Sequence, residues 1–150
     1  MRFLILLASA ASLLTTAAAD PYANFSRSCT GIDLVPDFFL GATCCHPGED
    51  GSDVHSENEL DLNLCIGLDQ VSNQLKWEVY GKFSNYCTNC TLDTPEDGTE
   101  HQLTCSCRPL VGSRKYVQST LNLDDGIANE WGTLRCEGGM ASLPRGSRDD

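Results

Sequence analysis

The chain has 150 residues, with 21 Asp or Glu against 10 Lys or Arg, nine Cys and a formal net charge of −11. That length suits one domain and excludes a large multidomain enzyme. Ten scattered basic side chains make no stripe for a nucleic-acid backbone or an anionic membrane, so neither partner is expected.

Met1 and Arg2 give a short positive start, Phe3 to Leu14 is an apolar run, and Ala17-Ala18-Ala19 supplies a small-residue cleavage site. Residues 1–19 therefore predict a secretory signal peptide, with the mature chain starting near Asp20. The alternative, a membrane anchor, needs roughly 20 apolar residues, more than this run offers. Losing Arg2 leaves nine basic against 21 acidic side chains, a net charge of −12, and all nine Cys remain. An extracellular location is implied, and with it cysteines held as disulfides. The competing reading of Cys87-x-x-Cys90 with Cys105-x-Cys107 is a zinc ribbon, but the second pair lacks the C-x-x-C spacing and the compartment disfavours thiolates.

Two similar units fill most of the remaining chain. Phe25-Ser26-Arg27-Ser28-Cys29-Thr30 is answered by Phe83-Ser84-Asn85-Tyr86-Cys87-Thr88, Leu60-Asp61-Leu62-Asn63 by Leu121-Asn122-Leu123-Asp124, and Leu75-Lys76-Trp77-Glu78 by Leu134-Arg135-Cys136-Glu137. The repeats span residues 25–78 and 83–137. Each predicts short strands: the Ser/Thr-rich start through Cys29 or Cys87, the alternating segment ending at Cys44 or Cys107, and a later Leu-x-Leu segment. Gly48 to Gly51 and Pro95 to Gly98 are turn signals, while Asp61 to Gly67 and Asp124 to Asn129 predict short helical turns capped by Asn or Asp. Phe25, Phe83, Leu62, Leu123, Ile66, Ile127, Leu75, Leu134 and Trp77 are the expected core. Residues 138–150 are polar, without period, and are expected to be a disordered tail.

Catalytic chemistry finds no set of acid, base and nucleophile. His46, His55 and His101 read as surface residues, and Asp124-Asp125 as a turn and cap. Glu49-Asp50-Gly51-Ser52-Asp53 fails the spacing of a calcium loop and reads as a solvated acidic loop. No metal or other cofactor is expected. Asn24-Phe25-Ser26 and Asn89-Cys90-Thr91 are glycosylation sequons, the second carrying a cysteine at its middle position.

Taken in order and spacing, Phe25-Ser26-x-x-Cys29, Leu60-Asp61-Leu62-Asn63, Leu75-Lys76-Trp77, the string Leu121 to Asn129 and Gly132-Thr133-Leu134 resemble the cyanovirin-N homology domain. The resemblance covers residues 25–137. It implies an all-β, pseudo-symmetric fold of two tandem repeats that exchange strands, one half drawn from about 25 to 65 plus 126 to 137 and the other from about 66 to 125. The family's pairing of each repeat's first Cys with the one ending the next strand implies Cys29 with Cys44 and Cys87 with Cys107. Cys90 and Cys105 stand where the first repeat has Ile32 and Ala42, so both are missing together from that copy and are expected to bond each other. Cys65 and Cys136 fall in one half of the exchanged fold and are paired on that ground. Cys45 is left over, to link two chains, stay buried or signal a different pairing, with adjacent Cys44 able to trade places with it; a monomer, or a dimer through Cys45 or strand exchange, is expected.

By the same resemblance the function is that of a lectin for mannose-rich glycans, its partners oligosaccharides or glycoproteins, with a site in each half. The first site carries over to Ser28, the loop at Cys45, His46 and Pro47, and Asn129 with Glu130. The second carries over to Gly67, Leu68 and Asp69, Lys82, Asn85, Tyr86, Arg108, and Ser113 with Arg114. Several positions depart from the family pattern: Cys45-His46-Pro47 replaces polar residues, Trp131 stands at a usual Asp, Leu68 replaces an Asn, and Gln70-Val71 lengthens a turn. Those departures motivate the alternative of a disulfide-rich extracellular protein or effector that keeps the fold but acts through protein contacts.

Overall fold

The computed structural model describes residues 22–94, 96, 100–112 and 115–143; the expected signal sequence, Pro95 and Gly98 of the expected turn, Ser113, Arg114 and residues 144–150 lie outside them. A 3-10 turn, Phe25–Arg27, leads into β1 (Cys29–Val35), β2 (Phe39–Pro47) and β3 (Asp53–Asp61), an antiparallel sheet in the order β1-β2-β3. After a 3-10 turn at Leu62–Leu64, β4 (Ile66–Leu68) and β5 (Leu75–Trp77) form a hairpin. The pattern then recurs, with a turn at Phe83–Asn85, a second sheet of β6 (Cys87–Asp93), β7 (Gln102–Cys107) and β8 (Val117–Asn122), and a turn at Leu123–Asp125. Last come β9 (Ala128–Glu130), β10 (Thr133–Cys136) and β11 (Gly139–Met140). No helix among the described residues is long and apolar enough to cross a membrane.

Each repeat opens on a 3-10 turn, not on a strand, and pairing begins only at Cys29 or Cys87. The turn tucks Phe25 and Phe83 fully out of solvent. It closes on Ser28 N–H to the Phe25 carbonyl (3.1 Å) and Tyr86 N–H to the Phe83 carbonyl (2.9 Å). Ser and Asn around the Phe favour such local bonds over a ladder. The turn after β3 is capped as the sequence suggests, Asp61 Oδ1 accepting from Asn63 N–H, whereas the turn after β8 starts one residue earlier than expected and is capped by Asn122, whose Oδ1 accepts from Asp124 N–H.

Strand exchange is visible in the polar contacts. Asn58 on β3 accepts from Leu134 N–H of β10 (3.0 Å) and donates to the Gly132 carbonyl (2.8 Å), so the β9–β11 unit completes the first half. In the second half, Ser119 Oγ on β8 accepts from Leu75 N–H of β5 (2.7 Å). One continuous apolar cluster runs through both halves and includes Phe25, Leu40, Leu60, Phe83, Leu103, Ile127 and Leu134. Trp77 is only partly buried; it packs where a Cβ on Gly126 would collide with the indole.

Four disulfides reinforce this frame: Cys29–Cys44, Cys87–Cys107, Cys90–Cys105 and Cys65–Cys136. The first three staple neighbouring strands. Cys65–Cys136 spans 71 residues and ties the start of the β4 segment to the end of β10, so it restricts the unfolded chain most. Cys45 is free and half-buried.

A reciprocal clasp joins the repeats. Asn24 N–H donates to the Asp124 carbonyl (2.8 Å) and Ser26 N–H to Asp124 Oδ1 (3.1 Å); in the other half Lys82 N–H donates to the Asn63 carbonyl (3.1 Å) and Ser84 N–H to Asn63 Oδ1 (3.1 Å). Asp124 is not the cap the sequence suggests but a buried cross-link, because Oδ2 also takes the backbone N–H of His101 (3.1 Å) and faces its Nδ1 (3.3 Å). His101 is not a surface residue; it is 3% exposed, with its ring against Phe25. Its counterpart is Phe38, packed edge-on to Phe83. The pairing is chemically consistent: the amide of Asn63 sits where an apolar ring suffices, and the buried carboxylate of Asp124 sits where a ring donor answers it.

The expected disorder from Gly138 does not hold for residues 138–143. Gly139 and Met140 pair with Cys136 and Arg135, and Ser142 exchanges two 3.0 Å backbone bonds with Glu59 on β3. This short segment orders because the neighbouring strands offer it unpaired backbone groups and Ala141 packs against the core.

Replacing Asp124 by Ala strands the Ser26 and His101 donors in the interior. The expected loss is about 3 kcal/mol in urea-induced unfolding, with a smaller loss for Asp124→Asn, which keeps an acceptor.

Candidate functional site

In the second half, the turn Phe83–Asn85 and the segment leaving β7 border an open cavity of about 870 Å³. Asn85, Tyr86, Arg108 and Tyr116 line it, with Phe38, Pro109, Leu110 and Val111. Arg108 N–H donates to the Tyr86 carbonyl (2.9 Å), which stitches the exit of β7 to the entrance of β6. The guanidinium lies over the Tyr116 ring, 5.1 Å from its centroid, which holds an exposed side chain over the opening. Leu110 N–H donates to Gln70 Oε1 (3.0 Å), tying the far rim to the β4–β5 turn.

The cavity unites Asn85, Tyr86 and Arg108, but Asp69 and Lys82 are not among its lining residues. The carboxylate of Asp69 is engaged in its own turn, accepting from Val71 N–H (2.9 Å) and Ser72 N–H (2.8 Å). Those two donors, Ser72 first, hold its pKa below the ordinary Asp value. Lys82 adopts a left-handed φ of 50° at the head of its turn, with its side chain exposed. Gly67 and Leu68 are buried, Leu68 as part of the core. Tyr116 has no place among the candidates read from sequence, although an exposed aromatic residue beside a strand entrance was a usable signal.

The first half carries an equivalent concavity of about 440 Å³, lined by Tyr22, Ser28, Cys45, Pro47, Ala128, Asn129, Glu130 and Trp131. Here Cys45 N–H donates to the Ser28 carbonyl (2.8 Å), in the place of the Arg108–Tyr86 bond. Asn129 is occupied internally. Its Nδ2 donates to Ser28 Oγ and to the Cys45 carbonyl, both at 2.8 Å, and its Oδ1 accepts from Gly132 N–H at 2.8 Å. An NH2 group has two hydrogens, so the amide that sequence offers as a ligand is spent on positioning. Glu130 pairs with Arg135, which raises the guanidinium pKa further. His46 lies on the other side of Trp131, lining a separate depression with Pro47, Gly48, Glu49 and Val54.

Trp131 and Gly132 form a two-residue hairpin between Glu130 and Thr133, with φ of 53° and 83°. Two positive φ values make it the primed turn that suits a hairpin's twist, for which Asn-Gly is the ordinary choice. A left-handed conformation costs a bulky residue roughly 1–2 kcal/mol. Gly132 is obligatory, because a Cβ there would stand 2.2 Å from the His46 ring. Trp131 itself is 75% exposed.

Of the two sequons, Asn24 is exposed at the head of the first turn, while Asn89 is exposed at a left-handed position next to the bonded Cys90. Cys87, Cys90, Cys105 and Cys107 are all consumed in disulfides, so no thiolate set remains there for zinc.

The family model for the CVNH domain matches residues 25–135. The chain belongs to the CVNH family. Among solved structures, GzCVNH of Gibberella zeae is similar at 31% identity, with 75% of this chain and 95% of that one covered and a TM-score of 0.59. Microvirin, solved in complex with mannobiose, is 25% identical, covering 76% of this chain and 98% of its own at a TM-score of 0.59. A designed cyanovirin-N homolog lectin, at 22% identity, shares the fold, with 76% of this chain and 99% of that one covered and a TM-score of 0.60. The chain therefore has a lectin-like CVNH fold, and the two cavities sit in pseudo-equivalent places within it.

The lowered Asp69 pKa carries a stability consequence with a definite sign. A carboxylate whose folded pKa is depressed supports the β4–β5 turn above the unfolded value and loses that support as pH falls through the folded one. Protection of the Val71 and Ser72 amides, measured against the intrinsic exchange rate at each pH, should fall on acidification below about pH 4, and Asp69→Ala should show the lowered protection already at neutral pH.

Proposed function

We propose that the protein is a secreted, non-enzymatic lectin for mannose-rich glycans, with its principal site in the second-half cavity. The observation that carries this reading is the convergence of Asn85, the Tyr86 segment and Arg108 held over Tyr116 at one open cavity. Sugar hydroxyls both donate and accept. A guanidinium supplies donors alone and an asparagine amide supplies both, so several hydroxyls are answered at once. Two disulfides, Cys87–Cys107 and Cys90–Cys105, brace the sheet that carries the cavity, so little chain entropy is lost on binding. Membership of the CVNH family and the mannobiose complex of microvirin support the choice of mannose. Secretion is supported by the signal-like start at residues 1–19 and by four disulfides in one small domain.

A second reading has its own observation. Leu110 and Val111, 78% and 80% exposed, place apolar side chains on the rim, which suits a protein partner better than a sugar. A glycan array with protein secreted from an oxidising host separates the two: saturable oligomannose binding supports the lectin, and silence from folded protein supports the protein-contact role. Arg108→Ala should weaken oligomannose binding at least about 10-fold by calorimetry, the usual scale for a lost charged hydrogen bond, with the unfolding temperature nearly unchanged.

A further inference from the structure

The first-half cavity poses a different recognition problem, because its amide is already spent. Asn129 gives both amide hydrogens to Ser28 and Cys45, and Glu130 is engaged by Arg135. What remains is Trp131, projecting from the tip of a hairpin and bordering a depression on either side. Its backbone sits in the left-handed region, where Asn, Asp or Gly is favoured and a large aromatic is not. Residues held against backbone preference at an exposed tip point to function, since stability would be served better by another side chain. The position is also fixed. Asn129 Oδ1 binds Gly132 N–H, and the His46 ring fills the space that a Cβ on Gly132 would need.

We propose that Trp131 is a stacking platform for a neutral, β-linked pyranose of the gluco configuration, a second sugar class read by the first half. This rests on the proposed carbohydrate-binding function and extends it. The occupant is argued from chemistry. The indole, joined by Tyr22 and Pro47 and rimmed by Ser28, Glu130 and Glu49, matches a ligand with one apolar face and a polar rim. A pyranose is such a ligand, its axial C–H bonds forming the face and its equatorial hydroxyls the rim. The β-gluco configuration carries no axial oxygen on either face. An α-mannoside carries an axial oxygen on both, O1 on one and O2 on the other, so it stacks poorly. Glu49 beside the platform disfavours acidic sugars. Ser28 Oγ, which accepts from Asn129, keeps its own hydrogen for a rim oxygen.

The chain has two tryptophans, and the other, Trp77, is partly buried against Gly126, so a ligand-induced emission change reports mainly on Trp131. The secreted protein is titrated with cellotriose, triacetylchitotriose and α-mannotriose, following emission and calorimetry. The expected result is a saturable blue shift with the β-linked trioses. Trp131→Asn should weaken their binding at least about 10-fold while raising the unfolding temperature, because Asn suits the primed turn. Trp131→Tyr should retain binding within about threefold, since it keeps an aromatic face. Equal affinity of Trp131→Asn and native protein for the β-linked trioses overturns the proposal. So does native protein that binds α-mannotriose but neither β-linked triose, an outcome that leaves the lectin reading standing. Silence toward all three trioses overturns both.

Discussion

The structure depends on a reciprocal clasp between the repeats. Each repeat hides its leading phenylalanine under a 3-10 turn, and the backbone donors of that turn are satisfied by the other repeat, through Asn63 for the Phe83 turn and Asp124 for the Phe25 turn. Neither repeat can bury its phenylalanine and satisfy these groups alone. Exchange of strands is a consequence of this requirement, with β10 joining β3 through Asn58 and β5 meeting β8 through Ser119. The cavities inherit their positions from the same arrangement, since each lies where one repeat's opening turn meets the strand exit stitched to it.

Duplication made the architecture readable in the sequence. Two copies of Phe-Ser-x-x-Cys and Leu-x-Leu with drifting offsets place equivalent elements, and the resemblance to the CVNH family supplied the exchange that period alone does not encode. Local chemistry was also legible: the capped turns at Leu62 and Leu123 need only their neighbours. Residues whose partners lie far along the chain were not. His101 reads as exposed because polar neighbours surround it in sequence, yet its partner Asp124 is 23 residues away and Phe25 lies further still. The pairing of Ser142 with Glu59 likewise comes from a strand far back in the chain.

The candidate site shows the same division between local and distant partners. Asn129 carries the right functional group for a sugar, but its bonds run 101 and 84 residues back to Ser28 and Cys45, a commitment that spacing does not reveal. Asp69 is spent on its own turn, which a lengthened Asp-Gln-Val-Ser loop hints at through its donors. Arg108 is the charge left at the cavity itself, and Tyr116 gives it a surface to lie on. The two halves have thus drifted toward different chemistries, one with a cation over an aromatic ring and one with a bare indole, while retaining one backbone design.

The C-terminal segment has a role that goes beyond completing a sheet. β11 covers the outer flank of β10, and Ser142 takes up the backbone groups of Glu59 on β3. Both are strand edges that would otherwise present free N–H and C=O groups to any passing extended chain. A chain ending at Glu137 would keep all eight bonded cysteines, yet lose Ala141 from the margin of the core and expose two ready templates for intermolecular pairing. Those few residues therefore guard two strand edges against self-association.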